Sequence, residues 1–474
     1  MNWKPAKKRI TGLQTIRVAH PLTHEGGTLS YASPLLFSWK DLVLSLVRTT
    51  TLQSAVPNLS QEERIWLAHS NAACHAERIN LFVSPRNAEF SVTTKVDILP
   101  DEDLTSLAAK MGVAVADLVM ERLGFHWRAN VLEIELSPSV GDPDSKKRRP
   151  DFVYDPAGKY GFQPKSVVVA EAKGSLSRVR AKRAAIRTLS RKAFAEQVQH
   201  VIGQPARDVI VAGGYGIAFG AIQGDHAPGA VGEQVSTLAV ASPESIAVVA
   251  AKAKTKVNSL SAAATYGPRQ VQKIQVQQVP QRQQQQEELR RQLEQRRHGP
   301  RGPGGPGGPT DGGPRREREQ RTASGRIAYA NYESAFLLCG ADIAAGFLRN
   351  ILDGRGVADI GPDRSIQEFW VVNHSSGPFW TSSSRGVPWW PWWGREPLLF
   401  GIHETSAKEI LRSVANNLER VPDTVNLTVA PIEVGSEPDA DLDIAIQGDG
   451  LALFSDPRLR PERRYWDLRK GELL

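Results

Sequence analysis

The sequence predicts an α/β protein built on a mixed sheet, followed by a second unit of α+β type. Three observations carry this. Hydrophobic periodicity switches repeatedly between helix and strand spacing from Pro100 to Ile222. Apolar residues nearly vanish between Tyr266 and Arg321. The chain of 474 residues, 41% hydrophobic and 23% charged, exceeds what one hydrophobic core normally organises. The expected division is therefore a first unit over 1–265, with its core at about 101–222, a linker over 266–321, and a Trp-rich unit over 322–474.

Taken in order, DEDLTSLAAKMGVAVADLVMERLG reads as a helix, with acids in its first turn and Gly124 stopping it. In VLEIELS, Leu132, Ile134 and Leu136 alternate with Glu133 and Glu135, which predicts a strand. A short strand, DFVYD, follows and ends at Pro156. SVVVAEAK is a β-branched run of the kind that forms a buried strand. From Leu176 to Val198 apolar residues recur at helix spacing, and DVIVAGGYGIAFGAI is a last apolar strand region. The predicted order is helix, strand, strand, strand, helix, strand, around a sheet of three to four strands. The linker divides into a Gln/Glu/Arg half and a Gly/Pro half, Gly299 to Pro314, and its composition predicts a disordered spacer.

The formal charge is +8, but it is unevenly distributed. Between Lys146 and Ala193 there are 14 Lys/Arg against three acids, and the linker carries 12 against six between Arg269 and Arg321. Positive charge concentrated in two places is what contact with a phosphate backbone requires. The candidate contacts are Lys146, Lys147, Arg148 and Arg149 in a polar loop, and Arg178, Lys182, Arg187 and Arg191 on one helix face.

The chemistry-bearing residues lie at two strand ends. Pro150-Asp151 opens the second predicted strand, and Glu171-Ala172-Lys173 closes the third. Alternation places Glu171 and Lys173 on one face. A hairpin bringing Asp151 to that face would join two carboxylates and an ammonium. Two converging carboxylates suit a hard divalent ion that keeps several waters, Mg²⁺ or Mn²⁺. Such an ion lowers the pKa of a bound water and polarises a phosphodiester, while the lysine offsets developing charge.

This arrangement resembles the PD-(D/E)XK superfamily, the restriction-endonuclease-like nucleases, over about 120 residues. The matching residues are Pro150-Asp151 and Glu171-Ala172-Lys173. The resemblance implies an αβββαβ core and a metal-dependent DNA endonuclease, of the kind bacteria direct at foreign DNA. Asp151 and Glu171 would hold Mg²⁺ or Mn²⁺, and Lys173 would assist the attacking water. The family often adds an acid from the first core helix; that role carries to Glu121, with Glu135 as substitute. A glutamine on the helix after the lysine carries to Gln197 or Gln199.

A second function class comes from LTSLAAKMGVAVADLVMERL. Ala108, Gly112, Val113 and Leu118 have helix-turn-helix spacing, so 104–123 would read DNA in a regulator without catalysis. A non-catalytic nuclease fold that binds DNA is the related alternative. Asp439, Asp441 and Asp443 lack the glycine and glutamate of a calcium loop, and the histidines have no zinc-ligand spacing. Seven of the eleven tryptophans lie between Trp370 and Trp466, including Trp389, Trp390, Trp392 and Trp393, which suits either an irregular core or a surface for a protein partner or bases.

Two cysteines far apart, Cys74 and Cys339, and an N-terminus without an apolar h-region predict a cytoplasmic protein. The expected partners are DNA, a second copy of the chain, and a protein docking on the Trp-rich unit. No membrane partner is expected, since the best apolar segment is short and carries Asp342.

Overall fold

A computed structural model describes residues 3–4, 6–19, 34–53, 59–136, 149–156, 165–176, 183–223, 235–244, 322–357, 360, 364–382, 398–428, 444–454 and 459–474. In the first half these form β1 (Lys7–Ile10), β2 (Gly12–Ala19), β3 (Leu35–Ser38), α1 (Trp39–Gln53), α2 (Gln61–Phe82), α3 (Asp101–Arg122), β4 (Trp127–Asn130), β5 (Phe152–Asp155), β6 (Ser166–Ser175), α4 (Arg183–Ala193), β7 (Pro205–Ala206), β8 (Val209–Ala221) and β9 (Ser236–Glu244). After the linker come β10 (Thr322–Ser324), α5 (Gly325–Leu338), α6 (Asp342–Leu352), β11 (Ile366–His374), β12 (Gly377–Thr381), β13 (Leu399–His403) and α7 (Glu404–Asn416). The chain then adds β14 (Thr424–Asn426), β15 (Ile444–Ile446), β16 (Leu451–Phe454), β17 (Leu459–Asp467) and β18 (Glu472–Leu473). No helix among the described residues is long and apolar enough to cross a membrane.

The protein is of mixed α/β class, and its first large sheet is mixed. Its strand order is β2-β9-β8-β6-β5-β4, with β7 attached to β8. β4, β5 and β6 form an antiparallel meander; the chain then crosses through α4 and returns in β8 parallel to β6. Along the chain the elements run α3-β4-β5-β6-α4-β8, and β9 and β2 widen the sheet beyond the three to four strands expected. The Val/Ala run of β6 explains its central place, because a strand covered on both faces must be apolar on both.

Two elements differ from the sequence prediction. The strand expected over 131–137 lies one step earlier, at β4. Val131–Ile134 is instead a 3₁₀ turn, closed at its start by the Asn130 side chain accepting from the Leu132 amide at 3.0 Å. Leu132 therefore points outward, 59% exposed, and Glu135 takes a left-handed φ of 45°. The helix-turn-helix expected over 104–123 is also absent: α3 runs unbroken from Asp101 to Arg122. Its small residues serve close packing, since Ala108 and Gly112 cross the backbone of β6 at Gly174.

The two-unit division is also corrected. Residues 1–249 and 319–474 form one compact unit with one dominant core. The reason is visible in α5, which follows the linker yet is buried all round apart from Arg326 and packs on β4, α1, α2 and α6. A helix buried on every side belongs at a centre, not in a satellite. The second seven-stranded sheet, β15-β16-β13-β12-β11-β17-β18, is antiparallel throughout, as the α+β expectation for this half requires. It sends the β15–β16 turn, Gln447-Gly448-Asp449-Gly450, into the first half. There Asp449 pairs with Arg48, and the Gly448 amide donates to Glu121.

Candidate active site

The β5–β6 ladder pairs Phe152 with Ala170 and Val153 with Val169, so Asp151 stands one step further on, opposite Glu171. Asp151 is fixed there by its carboxylate, which accepts from the Ala172 amide at 3.1 Å. Lys173 Nζ donates to Glu171 Oε1. The three residues singled out in the sequence therefore meet at one point of the sheet.

Sheet geometry fixes which side they occupy. Glu171 is in register with Gly216 of β8, and a Cβ on Gly216 would meet Phe194 and Ser190 of the helical segment following β6. Glu171 and Lys173 thus share the face covered by α4. Gly174, of opposite parity, faces α3. Ser190 secures α4 to this face by donating to the Gly216 carbonyl at 2.7 Å. Gln197, in the π turn Phe194–Val198 after α4, is buried, and Gln199 is half-buried.

The electrostatics of the pair are strained. Glu171 is 1% exposed; its Oε2 takes no N–H donor, and its carboxyl meets that of Asp151, so a proton on one can be shared with the other. Burial, then the Asp151 carboxylate, pushes Glu171 up to about 7 despite the Lys173 ammonium. Burial also raises Asp151, against the Ala172 amide and Lys173. Above about pH 7 two carboxylates face one ammonium in a region poor in water, and below it a proton on Glu171 balances the pair. A buried acceptor without a donor costs about 1–3 kcal/mol, and more when charged.

That deficit is the observation on which a bound cation can be tested. Among the described residues no three metal-binding side chains converge. A site with two carboxylates nevertheless suits Mg²⁺ or Mn²⁺, which take one or two carboxylates and fill the remaining shell with water and substrate phosphate. Glu171 Oε2, which takes no N–H donor, is the acceptor such an ion would satisfy.

Glu121 is corrected. One of its oxygens lies 2.7 Å from His126 Nδ1 and accepts from the Gly448 amide; the other accepts from Arg128 at 2.9 Å. With both oxygens engaged, it belongs to the interlock between the chain's two halves and not to the Asp151–Glu171 pair. The substitute, Glu135, is two-thirds exposed and paired with Arg207. Of the candidate phosphate contacts, Arg149, Arg187 and Arg191 are exposed. Lys146, Lys147, Arg148, Arg178 and Lys182 lie outside the described residues, as do Trp389, Trp390, Trp392 and Trp393. Sequence reasoning missed Arg183, exposed one turn before Arg187; the spacing 183, 187, 191 puts all three in one row on α4.

Comparison with family models, curated proteins and solved structures returns no match.

Proposed function

We propose that the chain is a metal-dependent nuclease that hydrolyses phosphodiester bonds of DNA, with Asp151, Glu171 and Lys173 as its reacting group. The observation that carries this reading is the buried Glu171 carboxyl set against that of Asp151, with no N–H donor on its Oε2. An uncompensated acidic pair is costly to keep for structure alone, and a divalent cation is the ligand that relieves it. The α3-β4-β5-β6-α4-β8 order around the pair supports the resemblance to restriction-endonuclease-like enzymes. The exposed row of Arg183, Arg187 and Arg191 supports a polyanionic substrate.

Asp151 and Glu171 would hold the ion, which supplies a water of lowered pKa and neutralises charge on the scissile phosphate. Lys173, one-third exposed, extends from the buried Glu171 towards solvent. Its ammonium can hold the attacking water by its oxygen and offset charge developing on a phosphoryl oxygen. The Ala172 amide keeps Asp151 turned towards Glu171, so the two carboxylates are oriented before substrate arrives.

The test is incubation of the purified chain with supercoiled plasmid in Mg²⁺ or Mn²⁺, against EDTA. Cleavage dependent on the ion is expected. Asp151→Ala and Glu171→Ala should each lower its rate by at least about 10³-fold, since each removes a ligand and not a phosphate contact. Binding without cleavage under any divalent ion would instead indicate a DNA-binding protein on the same scaffold.

A further inference from the structure

Behind the acidic pair, on the opposite face of the sheet, α3 touches the backbone of β6. A Cβ added to Gly112 would lie 2.5 Å from the Gly174 amide nitrogen, and 2.6 and 2.7 Å from the Lys173 carbonyl carbon and oxygen. A Cβ on Gly174 would overlap the Ala108 carbonyl. No flexible side chain intervenes at either point, so nothing there can yield except the main chain. Both contacts fall on the residues that end the acid–alanine–lysine segment.

From this we propose that the Gly112–Gly174 crossing is the positioning device of the site: α3 presses on the main chain of β6 and sets where Glu171 and Lys173 stand relative to Asp151. The inference rests on the reading of these three residues as the reacting group. Three features support it. The contact is backbone to backbone, which fixes position more tightly than side-chain packing does. It falls on the Lys173 carbonyl itself, so a main chain turned at that point would swing the ammonium off Glu171. The Ala172 amide that orients Asp151 belongs to the same short segment. Gly112 and Gly174 act through other residues and touch no substrate; they are positioning residues.

The experiment compares Gly112→Ala and Gly174→Ala with Gly214→Ala. Gly214 is an equally crowded glycine in β8, but its added Cβ would first meet the Val198 and Val169 side chains, at 2.3 and 3.0 Å, on the face opposite α3. All three variants should lose stability. In folded protein, Mn²⁺ affinity measured by calorimetry should fall about tenfold or more in Gly112→Ala and Gly174→Ala, the scale of lost support behind metal ligands, and stay near the parent's in Gly214→Ala. Acylation of Lys173, followed by mass spectrometry, should accelerate in the first two alone, because the ammonium no longer rests on Glu171. In plasmid cleavage kcat should fall with KM little changed.

Gly112→Ala decides the matter if Gly174→Ala does not fold. Parent-like Mn²⁺ affinity and Lys173 labelling in folded Gly112→Ala would overturn the inference, as would an equal loss in Gly214→Ala. A parent chain that binds Mn²⁺ but never cleaves would instead overturn the nuclease reading. The labelling and affinity comparison would still decide the positioning role.

Discussion

Two clusters of buried acids lie in the same unit and are built on opposite principles. In the first, Asp117, Glu121 and Asp449 are matched by Arg48, Arg128 and His126. Further donors supply the acids: Tyr332 donates to the Asp449 carbonyl at 2.6 Å, Asn331 to its carboxylate at 2.9 Å, and Tyr154 to Asp117 at 3.3 Å, whereas the Arg48 and Arg128 Nε donors take no acceptor among the described residues. In the second, Asp151 and Glu171 share Lys173 and meet each other, and one buried oxygen takes no N–H donor. The first cluster holds two distant parts of the chain together and has no bare carboxylate oxygen to offer a cation. The second offers one. Burial of acids alone would not separate them; the count of donors around each does.

The sharpest way to break this contrast is to remove a partner from the satisfied cluster. Asp449→Ala leaves Arg48 buried without its carboxylate, and breaking a buried pair this way costs about 3–5 kcal/mol. Urea unfolding should register that loss. Deleting everything after residue 265 removes α5 together with Asp449, Gln447 and Asn331. It exposes the apolar surface that α5 covers, so the fragment should be recovered insoluble or unfolded by circular dichroism. A folded, soluble 1–265 would show that the interlock is dispensable.

In the unsatisfied cluster the same kind of change should have the opposite sign. Glu171→Gln removes the buried charge, and at pH 8 it should raise stability by about 1–3 kcal/mol while abolishing cleavage. Destabilisation by this change would mean that the Glu171 carboxylate is held for structure.

This contrast marks how far the sequence could be read. The β-branched run before Glu171 and the proline-aspartate at residue 151 are local signals, and both residues stand where the hairpin argument puts them. Glu121 could not be read in this way. Its partners are His126 and Arg128, five and seven residues on, and the Gly448 amide, 327 residues away. Nothing in the helical periodicity of α3 reports a hydrogen bond made across that separation. The alternation of Leu132, Ile134 and Leu136 imitated a strand, because apolar alternation also arises where a 3₁₀ turn leaves one leucine outside. The linker expected over 266–321 lies outside the described residues. That its two flanks share a core was not legible, because the polar contacts joining them, such as Arg48 to Gln447, pair residues 399 apart.

The pH dependence of stability sharpens the comparison further, because Asp449 and Glu121 should titrate opposite to Glu171, although burial raises Asp117 of the same cluster. Burial pushes Asp449 up, but the Arg48 and Arg128 guanidiniums outweigh it and hold the carboxyl below its usual range. Glu121 is likewise held low, with His126 and Arg128 outweighing its burial. Their stabilisation is present above the ordinary carboxylate range and is lost as pH falls through the depressed values. Glu171 runs the other way. Its carboxyl, raised to about 7, favours the folded state in acid, and that contribution is lost as pH rises from about 4.5 to about 7. Chemical denaturation across pH should therefore show an acid limb that flattens in Asp449→Asn and a neutral limb that flattens in Glu171→Gln. Added Mn²⁺ should restore stability on the neutral limb alone. Restoration in Glu171→Gln as well would place the ion elsewhere.

The smallest effect concerns the row of cations on α4. Arg183, Arg187 and Arg191 are exposed, spaced one turn apart, and make no ion pair among the described residues, whereas Lys192 beside them lies 3.7 Å from Glu196. Exposed cations with no acidic neighbour contribute little to folding, so their replacement should leave the melting temperature nearly unchanged. If they meet phosphates, each lost contact should weaken binding to all DNA sequences alike. It should also make the dependence of log affinity on log salt shallower by roughly 0.9. Arg187→Ala and Arg191→Ala, singly and together, measured by fluorescence anisotropy on a labelled duplex at several salt concentrations, give that slope. Lys192→Ala is the internal control, because its charge is already partly spent on Glu196. A slope that moves with Arg187 and Arg191 and not with Lys192 would make this row the path of the backbone past the acidic pair. An unchanged slope would leave the row as solvated surface and shift the search for phosphate contacts to Arg149.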